Sequence, residues 1–320
     1  MHRQERHNII AQPSPYIPPE LVEHIIDFNF ADTATLIASS RVARAWAPAT
    51  RHHLFSSLNL KSAPRILAFA DILRASPSLA RAAREVRIPA WLSKLPTRTA
   101  LSQIFEQLRR GGGVKCVRCT GQQLQPVWYE LLGSLHSVES VKLKATWCDL
   151  DALDGLLRAF PRVRDVFVET RMLSGVGDVS APAAAVVPLP ELRRMVVFNA
   201  SGLPNDFQSI LLRQGLPRLE SIEAQFGSVE DVVRFHEFLD KGGYETIKDL
   251  HMDFTYECPV DPSHDANATL LLSESVRKCN LRSLGLKCDH DFARIWEATQ
   301  EALQGSRLQV SSFRDQRLDF

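Results

Sequence analysis

Apolar residues recur along most of this chain in one pattern, apolar-x-x-apolar-x-x-apolar-x-apolar. Clear copies are Leu135-Val138-Val141-Leu143, Phe160-Val163-Val166-Val168, Leu189-Leu192-Met195-Val197, Leu216-Leu219-Ile222-Ala224 and Tyr244-Ile247-Leu250-Met252. Weaker copies place their final apolar pairs at Leu58/Leu60, Val86/Ile88, Val117/Cys119, Leu284/Leu286 and Leu308/Val310. Two apolar positions separated by one residue are typical of a strand that buries one face. The pattern therefore predicts a series of short strands.

Between these strands the apolar spacing changes to that of amphipathic helices. The stripes are Leu101-Ile104-Phe105-Leu108, Leu150-Leu153-Leu157-Phe160 and Phe292-Ile295-Trp296-Thr299-Leu303. Signals for the ends of helices support this prediction. Glycines at 111–113, 242–243 and 305 are suited to ending a helix, and Ser228-x-x-Asp231 resembles a capping box, which begins one. The repeats average about 28 residues, within the ~20–29 residues of leucine-rich repeats. We therefore predict an α/β fold in which residues 62–320 form a leucine-rich-repeat-like solenoid, with parallel strands on the concave face and helices outside.

Two segments fall outside this alternation. Residues 173–188 are rich in alanine, glycine and proline, which indicates a loop instead of a covering helix. Residues 1–15 end in Gln-Pro-Ser-Pro and are predicted to be a disordered tail.

The segment 16–61 has a different pattern, that of three short helices. Pro18 and Pro19 suit the first turn of a helix that places Leu21, Val22, Ile25 and Ile26 on one face. Asp32 is positioned to cap a second helix. A third is expected around Val42 to Trp46 and is predicted to end before Pro48. Such short helices bury little surface, so the segment needs further packing against its own chain or a partner.

In its order and spacing, this segment resembles the F-box family, most closely the fungal F-box proteins. The matching residues are Ile17-Pro18-Pro19-Glu20-Leu21, Ile25-Ile26, Leu36, Val42-Ala43-Arg44-Ala45-Trp46 and His53-Leu54-Phe55. The first set resembles Leu-Pro-x-Glu-Leu and the fourth Val-Cys-Arg-x-Trp. Ala43 and Asn29 depart from the family, which commonly has a cysteine and a large apolar residue there.

The resemblance implies a function as well as a fold. An F-box docks on the Skp adaptor of an SCF-type cullin-RING ubiquitin ligase, and the repeats behind it bind a target protein. The residues implied to form or support the adaptor surface are Ile17, Pro18, Leu21, Ile25, Leu36, Val42 and Trp46. The expected partners are the Skp adaptor, the cullin scaffold and an unidentified protein substrate. Such a receptor subunit is non-catalytic.

The alternative is a leucine-rich-repeat scaffold that binds its partner without any ligase. Its F-box would then serve as an amino-terminal cap, because a solenoid otherwise exposes an apolar end. Adaptor binding distinguishes the two functions.

Composition and charge narrow the classes of partner. The 38 basic and 37 acidic residues give a net charge of +1, without the basic excess that nucleic-acid binding requires. No apolar run approaches the roughly 18 residues that span a bilayer, and the first ten residues do not resemble a signal peptide. We therefore expect an intracellular protein, cytoplasmic or nuclear, with neither nucleic acid nor membrane as partner.

Candidate chemistry is sparse. The sequence has no phosphate-binding glycine-lysine loop, no nucleophile elbow and no His-Glu-x-x-His motif. Cys116-Val117-Arg118-Cys119 has the spacing of a metal knuckle or redox pair, but it lies in a predicted strand and is interpreted as buried or edge thiols. We predict no catalytic residue, metal or cofactor.

The strand period also predicts which residues face a target. In each repeat the apolar pair points inward, so the residues between and after the pair face the concave side. The first row is Asn59, Arg87, Arg118, Lys142, Phe167, Val196, Glu223, His251, Gly285 and Gln309. The second row is Lys61, Pro89, Thr120, Lys144, Glu169, Phe198, Gln225, Asp253, Lys287 and Ser311. The rows are basic nearest the F-box, apolar in the middle and acidic beyond.

The middle of these rows is the predicted substrate site. Its residues are Lys142, Lys144, Phe167, Glu169, Val196, Phe198, Glu223, His251 and Asp253. Exposed aromatics flanked by charge suit a ligand with an apolar group near Phe167 and Phe198 and a basic stretch toward Asp253. The alternative is that residues 169–189 partly cover these aromatics.

Overall fold

The structure is a computed structural model that divides into two compact units. The helical unit is Met1–Ser56 and the sheet unit is Ser57–Phe320. The described residues are 17–89, 97–121, 127–149, 153, 155–157, 159–174, 191–199, 218–226, 229–240, 245–254, 270–271, 273–288 and 309–312.

Three short α-helices and one 3-10 turn form the described part of the helical unit. They are α1 Pro19–Phe28, α2 Thr33–Val42, a 3-10 helix Arg44–Trp46 and α3 Ala47–Ser56. Pro18 is the amino-terminal cap of α1, and its carbonyl accepts hydrogen bonds from the amides of Leu21 and Val22. Asn29 ends α1, where its side-chain amide donates to the Ile25 carbonyl at 2.8 Å.

The cap predicted at Asp32 is confirmed. Its carboxylate accepts hydrogen bonds from the amides of Ala34, at 2.9 Å, and Thr35, at 3.2 Å, and from the Thr35 hydroxyl at 2.6 Å. The Thr35 hydroxyl, followed by the backbone amides, lowers the pKa of Asp32 below its ordinary value. These bonds satisfy amide groups that the first turn of α2 leaves unpaired.

The predicted third helix is wrong in its bounds. Ala43 is extended and separates α2 from the 3-10 helix, and α3 begins at Ala47. Pro48 therefore lies inside α3. It is tolerated because it is in the first turn, where the amide that proline lacks has no partner in the helix.

The core of the helical unit is small. Val22 and Ile26 of α1 and Leu36 of α2 are buried together, and Trp46, Ala49 and Leu54 pack against them. The four apolar residues of α1 that were predicted to share a face are divided, with Val22 and Ile26 buried and Leu21 and Ile25 exposed. One helix face of this length cannot bury all four against two neighbouring helices.

Ten parallel strands form one sheet in the described part of the sheet unit, and their spatial order follows the chain from β1 to β10. They are β1 Ser57–Asn59, β2 Glu85–Pro89, β3 Cys116–Gly121, β4 Ser140–Asp149, β5 Asp165–Ser174, β6 Arg194–Asn199, β7 Ser221–Gln225, β8 Asp249–Phe254, β9 Ser283–Cys288 and β10 Gln309–Ser312. The prediction of an α/β fold with a parallel sheet and helices is confirmed.

The apolar pairs occupy matching positions of neighbouring strands. Val86 of β2 pairs with Val117, which pairs with Val141, and this register continues to Leu284 of β9. Every residue of the predicted pairs from Leu58/Leu60 to Leu284/Leu286 is buried. These positions form the strand contribution to the core.

The register of β10 differs from the prediction by two residues. Val310 and Ser312 pair with Leu284 and Leu286, where the sequence pattern placed Leu308 and Val310. A slip of two residues keeps each side chain on the same face, so the alternation of apolar residues cannot distinguish the two registers. Ser311 therefore lies beside Gly285, the place predicted for Gln309.

The helices of the sheet unit lie between strands along the chain. Those whose bounds fall in the described part of this unit are α4 Ala63–Ala75, a 3-10 helix Pro77–Arg81, α5 Arg98–Gly111, α6 Val127–Gly133 and α7 Val229–Asp240. Described residues between 270 and 278 are helical as well. All four residues of the predicted α5 stripe are buried, as are Leu153, Leu157 and Phe160.

The predicted loop at 173–188 begins inside β5, which extends to Ser174. Its residues from 175 onward, the predicted 292–303 stripe and the predicted 1–15 tail lie outside the described residues.

Gly112 ends α5 in the left-handed conformation, with φ of 62° and its amide bonded to the Leu108 carbonyl. We expect Gly112→Ala to lower the free energy of unfolding by about 1–2 kcal/mol, because a Cβ is unfavourable in this conformation. Gly112→Asn should cost less, since asparagine tolerates it. Urea unfolding of both variants measures the difference. An asparagine variant less stable than the alanine variant would contradict this explanation.

Candidate binding surfaces

The helical unit exposes a stripe of large apolar side chains along α1. Ile17, Leu21, Ile25 and Phe28 are 43%, 55%, 43% and 85% exposed. Leu21, Ile25 and Phe28 are spaced by four and three residues, which places them on one face of α1, and Ile17 comes just before the cap Pro18. Val22 and Ile26 lie about 100° further round α1 and fill the core. Thus α1 is apolar over a wide arc, and only the part with Val22 and Ile26 is covered within this chain's described residues.

The segment from α1 to the end of α2 adds further exposed apolar residues. Phe30, Ile37 and Val42 are 66%, 42% and 67% exposed. Single exposed apolar residues are ordinary on proteins, but a concentration of them in one small unit is typical of an interaction site. We call Ile17, Leu21, Ile25, Phe28, Phe30, Ile37 and Val42 the apolar surface of the helical unit.

The seven residues predicted for adaptor binding divide into two groups. Ile17, Pro18, Leu21, Ile25 and Val42 are exposed, whereas Leu36 is buried and Trp46 half-buried in the core. The first group is available for direct contact, and the second can act only by supporting α1 and α2. Phe28, Phe30 and Ile37 are exposed apolar residues of this unit that were not predicted to bind the adaptor. Phe28 could have been found by extending the Leu21–Ile25 spacing by three residues.

A polar contact ties α1 to α3. His53 Nε2 lies 2.7 Å from Asp27 Oδ1, and Asp27 belongs to the last turn of α1. Because the core contains so few side chains, this link and the Asp32 cap contribute to holding the helices in place.

The sheet unit has a second candidate surface, the polar face, which consists of the strand residues that alternate with the apolar pairs. The predicted first row is in register from Asn59 of β1 to Gly285 of β9. In the second row, Thr120, Lys144, Glu169 and Phe198 are also in register. Side chains that are far apart in sequence therefore become direct neighbours.

The polar face is basic at β2 to β4. Arg87, Arg118 and Lys142 are direct neighbours in the first row. Glu85 forms ion pairs with Arg118 and with Arg87, the latter at 3.1 Å, and it accepts a hydrogen bond from the Ser57 hydroxyl at 3.2 Å. One carboxylate thus serves two guanidinium groups.

The apolar middle of the face is less exposed than predicted. Phe167 and Val196 are 9% and 3% exposed and therefore buried, and Phe198 is half-buried. The rings of Phe167 and Phe198 lie 5.7 Å apart between centroids at 57°, a favourable aromatic contact. Phe167 and Val196 are thus wrong as exposed anchors. The two residues are direct neighbours across the strands β5 and β6.

Ion pairs between neighbouring strands occupy charged residues that were predicted to flank the apolar middle. Lys144 contacts Glu169 at 2.8 Å, and Arg194 contacts Glu223 at 3.7 Å. Lys287 lies 3.4 Å from Asp253. Asp253 was predicted to receive a basic stretch of a ligand, and this intramolecular lysine competes for that role. Such pairs at the surface contribute little to stability, about 0–1 kcal/mol.

His251 occupies a close contact on the same face. Its Nε2 lies 3.4 Å from the Ser283 hydroxyl, a long distance for a hydrogen bond. The ring lies against Gly285, where a Cβ would be 2.9 Å from the histidine Cδ2. The side chain at position 285 must therefore be absent for His251 to keep this orientation.

The two cysteines of the Cys-x-x-Cys motif point to opposite faces of β3. Cys116 is half-buried on the polar face, and Cys119 is buried on the core side. Burial raises the pKa of the Cys116 thiol, with a further contribution from the Glu85 carboxylate. An odd spacing on a strand separates the two sulfur atoms, so they cannot ligate one metal together. Among the described residues, no group of three metal-ligating side chains is found.

Comparisons with known proteins do not assign a family. No protein-family model matches the chain. No curated protein matches it either. Among solved structures, the chain is similar to the apo form of the homocysteine methyltransferase MmuM from Escherichia coli, with 14% sequence identity, 77% of this chain and 95% of that chain covered, and a TM-score of 0.21.

This comparison corrects one expectation from the sequence. The structure found is that of an enzyme, so the statement that the chain is non-catalytic is overturned and is withdrawn. A TM-score of 0.21 carries no argument for any particular reaction.

Within the described residues, no helix is both long and apolar enough to cross a membrane.

The contact between His251 and Gly285 can be tested by a double-mutant cycle. We expect Gly285→Ala to lower the free energy of unfolding by about 1–3 kcal/mol, because the new methyl group overlaps the imidazole ring. In a His251→Ala background the same change should cost much less. Urea unfolding of the four proteins gives the coupling energy, and additive effects would show that the two residues do not touch.

Proposed function

We propose that this chain is the target-recognition subunit of an SCF-type cullin-RING ubiquitin ligase. In this proposal the helical unit is an F-box that docks on the Skp adaptor, and the sheet unit is a leucine-rich-repeat-like solenoid that binds the target protein. Such a protein acts inside the cell, in the cytoplasm or nucleus. The observation that carries the proposal is the apolar surface of the helical unit, in a segment whose sequence resembles an F-box.

The size of this surface favours a protein partner with an apolar groove. Burying one side chain such as Leu21 contributes about 1.5–3 kcal/mol. Association costs about 4–15 kcal/mol of translational and rotational freedom. Several side chains must therefore be buried together. Leu21, Ile25 and Phe28 provide this on one face of α1, and Ile17 adds a fourth exposed apolar side chain just before the helix.

The sheet unit supports the second half of the proposal. Its strands follow the chain order and lie in parallel, which brings one residue from each of many segments into a single row. A surface built in this way can bind an extended stretch of a target. By holding the target near the ubiquitin-loaded enzyme, the receptor raises the effective concentration of its lysines.

The alternative function is a protein-binding scaffold without a ligase, in which the three helices serve as an amino-terminal cap. It is favoured by the absence of a connecting segment, since α3 ends at Ser56 and β1 begins at Ser57. In that case the chain would bind its partner through the sheet unit and would not bind an adaptor.

The adaptor-docking proposal can be tested by replacing Leu21 and Ile25 together with alanine. We expect co-purification with a co-expressed fungal Skp adaptor to fall by roughly tenfold or more, because buried anchor residues at interfaces each contribute about 1–2 kcal/mol or more. The fold should be retained, since both side chains are largely exposed. Affinity purification followed by size-exclusion chromatography gives the amount of adaptor bound.

A matched control exists on α4 of the sheet unit. Leu67 and Ile72 are 47% and 40% exposed, so their double alanine variant removes the same side-chain types at similar exposure. It should bind the adaptor as the wild type does. Equal losses in both variants would indicate a nonspecific effect, and a folded wild type that does not bind the adaptor would favour the scaffold alternative.

A further inference from the structure

The basic end of the polar face carries more positive charge than the sheet itself neutralises. On β2, β3 and β4 this face presents Arg87, Arg118, Lys142 and Lys144, with Glu85 as its one carboxylate. Neighbouring strands are about 4.8 Å apart, so the row from Arg87 to Lys142 spans about 10 Å. Three cations therefore lie side by side over a short distance.

The ion pairs leave Lys142 as the least neutralised of the four. Glu85 is shared by Arg87 and Arg118, and Lys144 contacts Glu169 at 2.8 Å. Within the described part of the chain, no carboxylate lies within ion-pair distance of Lys142. Like charges directly opposite one another on a sheet are destabilising. An added anionic group beside Arg118 and Lys142 would relieve this repulsion.

We propose that Arg87, Arg118 and Lys142 bind an extended acidic segment of the target protein, with carboxylate side chains as the groups recognised. This inference rests on the proposed function in taking the polar face as the target-binding face. In an extended peptide, side chains on one side are about 7 Å apart. Two acidic residues separated by one position therefore fit within the row of three cations. The pairing of Glu85 with two arginines shows that a carboxylate is accommodated there.

The charges beyond this row favour a short acidic peptide over a nucleic acid. The polar face of β5 presents Asp165 and Glu169 beside β4, and β7 presents Glu223. Because Lys144 and Arg194 only balance Glu169 and Glu223, no surplus of positive charge continues beyond β4 on the described strands for a polyphosphate chain to follow. A peptide can carry its acidic residues over β2 to β4 and different side chains beyond.

The test uses the full chain and a fluorescein-labelled peptide in which glutamate alternates with serine. Fluorescence anisotropy at an ionic strength of about 0.15 M, where the Debye length is about 8 Å, gives its Kd. We expect Lys142→Glu to weaken binding by roughly tenfold or more, because it replaces an attraction by a repulsion. Lys142→Gln should give a smaller loss. Either substitution should leave the fold intact, since Lys142 is half-buried and a glutamate there would face Arg118.

Arg162→Glu is the matched control. Arg162 is exposed in the turn before β5, and its reversal changes the net charge equally. It should alter the Kd by less than about twofold, because exposed charges beyond a Debye length are screened. Equal losses in the two charge reversals, or no binding by the wild type, would overturn the proposal.

Two further measurements separate the possible failures. The first is the affinity for a single-stranded oligonucleotide of the same charge as the peptide. If the oligonucleotide binds more tightly than the peptide, and Lys142→Glu weakens its binding, the ligand of this surface is a nucleic acid and the acidic-peptide proposal is overturned. Adaptor binding is measured on the same preparations. If the adaptor binds and the peptide does not, this inference fails alone. If the peptide binds and the adaptor does not, the ligase proposal fails.

Discussion

The register of the parallel sheet is the constraint on which both faces of the sheet unit depend. Side chains alternate along a strand, so each hydrogen-bonded pairing also decides which residues lie inside. From β1 to β9 one register places an apolar pair of every strand in the core. A slip of one residue in any strand would move its apolar pair to the surface and bury polar residues. The polar face is thus specified by the same pairings that fill the core.

The helical unit has a different limitation, because it buries few apolar side chains in its core. Val22, Ile26 and Leu36 are its buried apolar cluster, supported by Trp46. More apolar residues are exposed than buried between Ile17 and Val42. Capping by Asp32 and the contact between Asp27 and His53 compensate for part of this. The exposed residues add little to stability while they face water, and a partner that covers them would gain free energy from their burial, which is the physical basis of the docking proposal.

Local signals in the sequence predicted much of this structure. Apolar pairs such as Val141/Leu143 predicted the positions of the strands. Asp32 predicted the start of α2, and Gly112 lies in the glycine run that predicted the end of α5. These signals could be read because apolar spacing and helix caps are properties of a short stretch of sequence. Properties that depend on neighbours were not predictable. The burial of Phe167 and Val196 depends on side chains that register brings together, and the β10 register is ambiguous by two residues. The F-box and ligase assignments remain predictions.

Hydrogen exchange of the full chain, with and without a fungal Skp adaptor, is the most direct test of adaptor docking by the helical unit. We predict that the adaptor slows exchange at α1 and α2, between residues 17 and 42, because their exposed apolar residues form the interface. Exchange in β2 to β9 should be unchanged. Protection confined to the sheet unit, or no protection anywhere in a folded chain, would show that α1 and α2 do not form the adaptor interface.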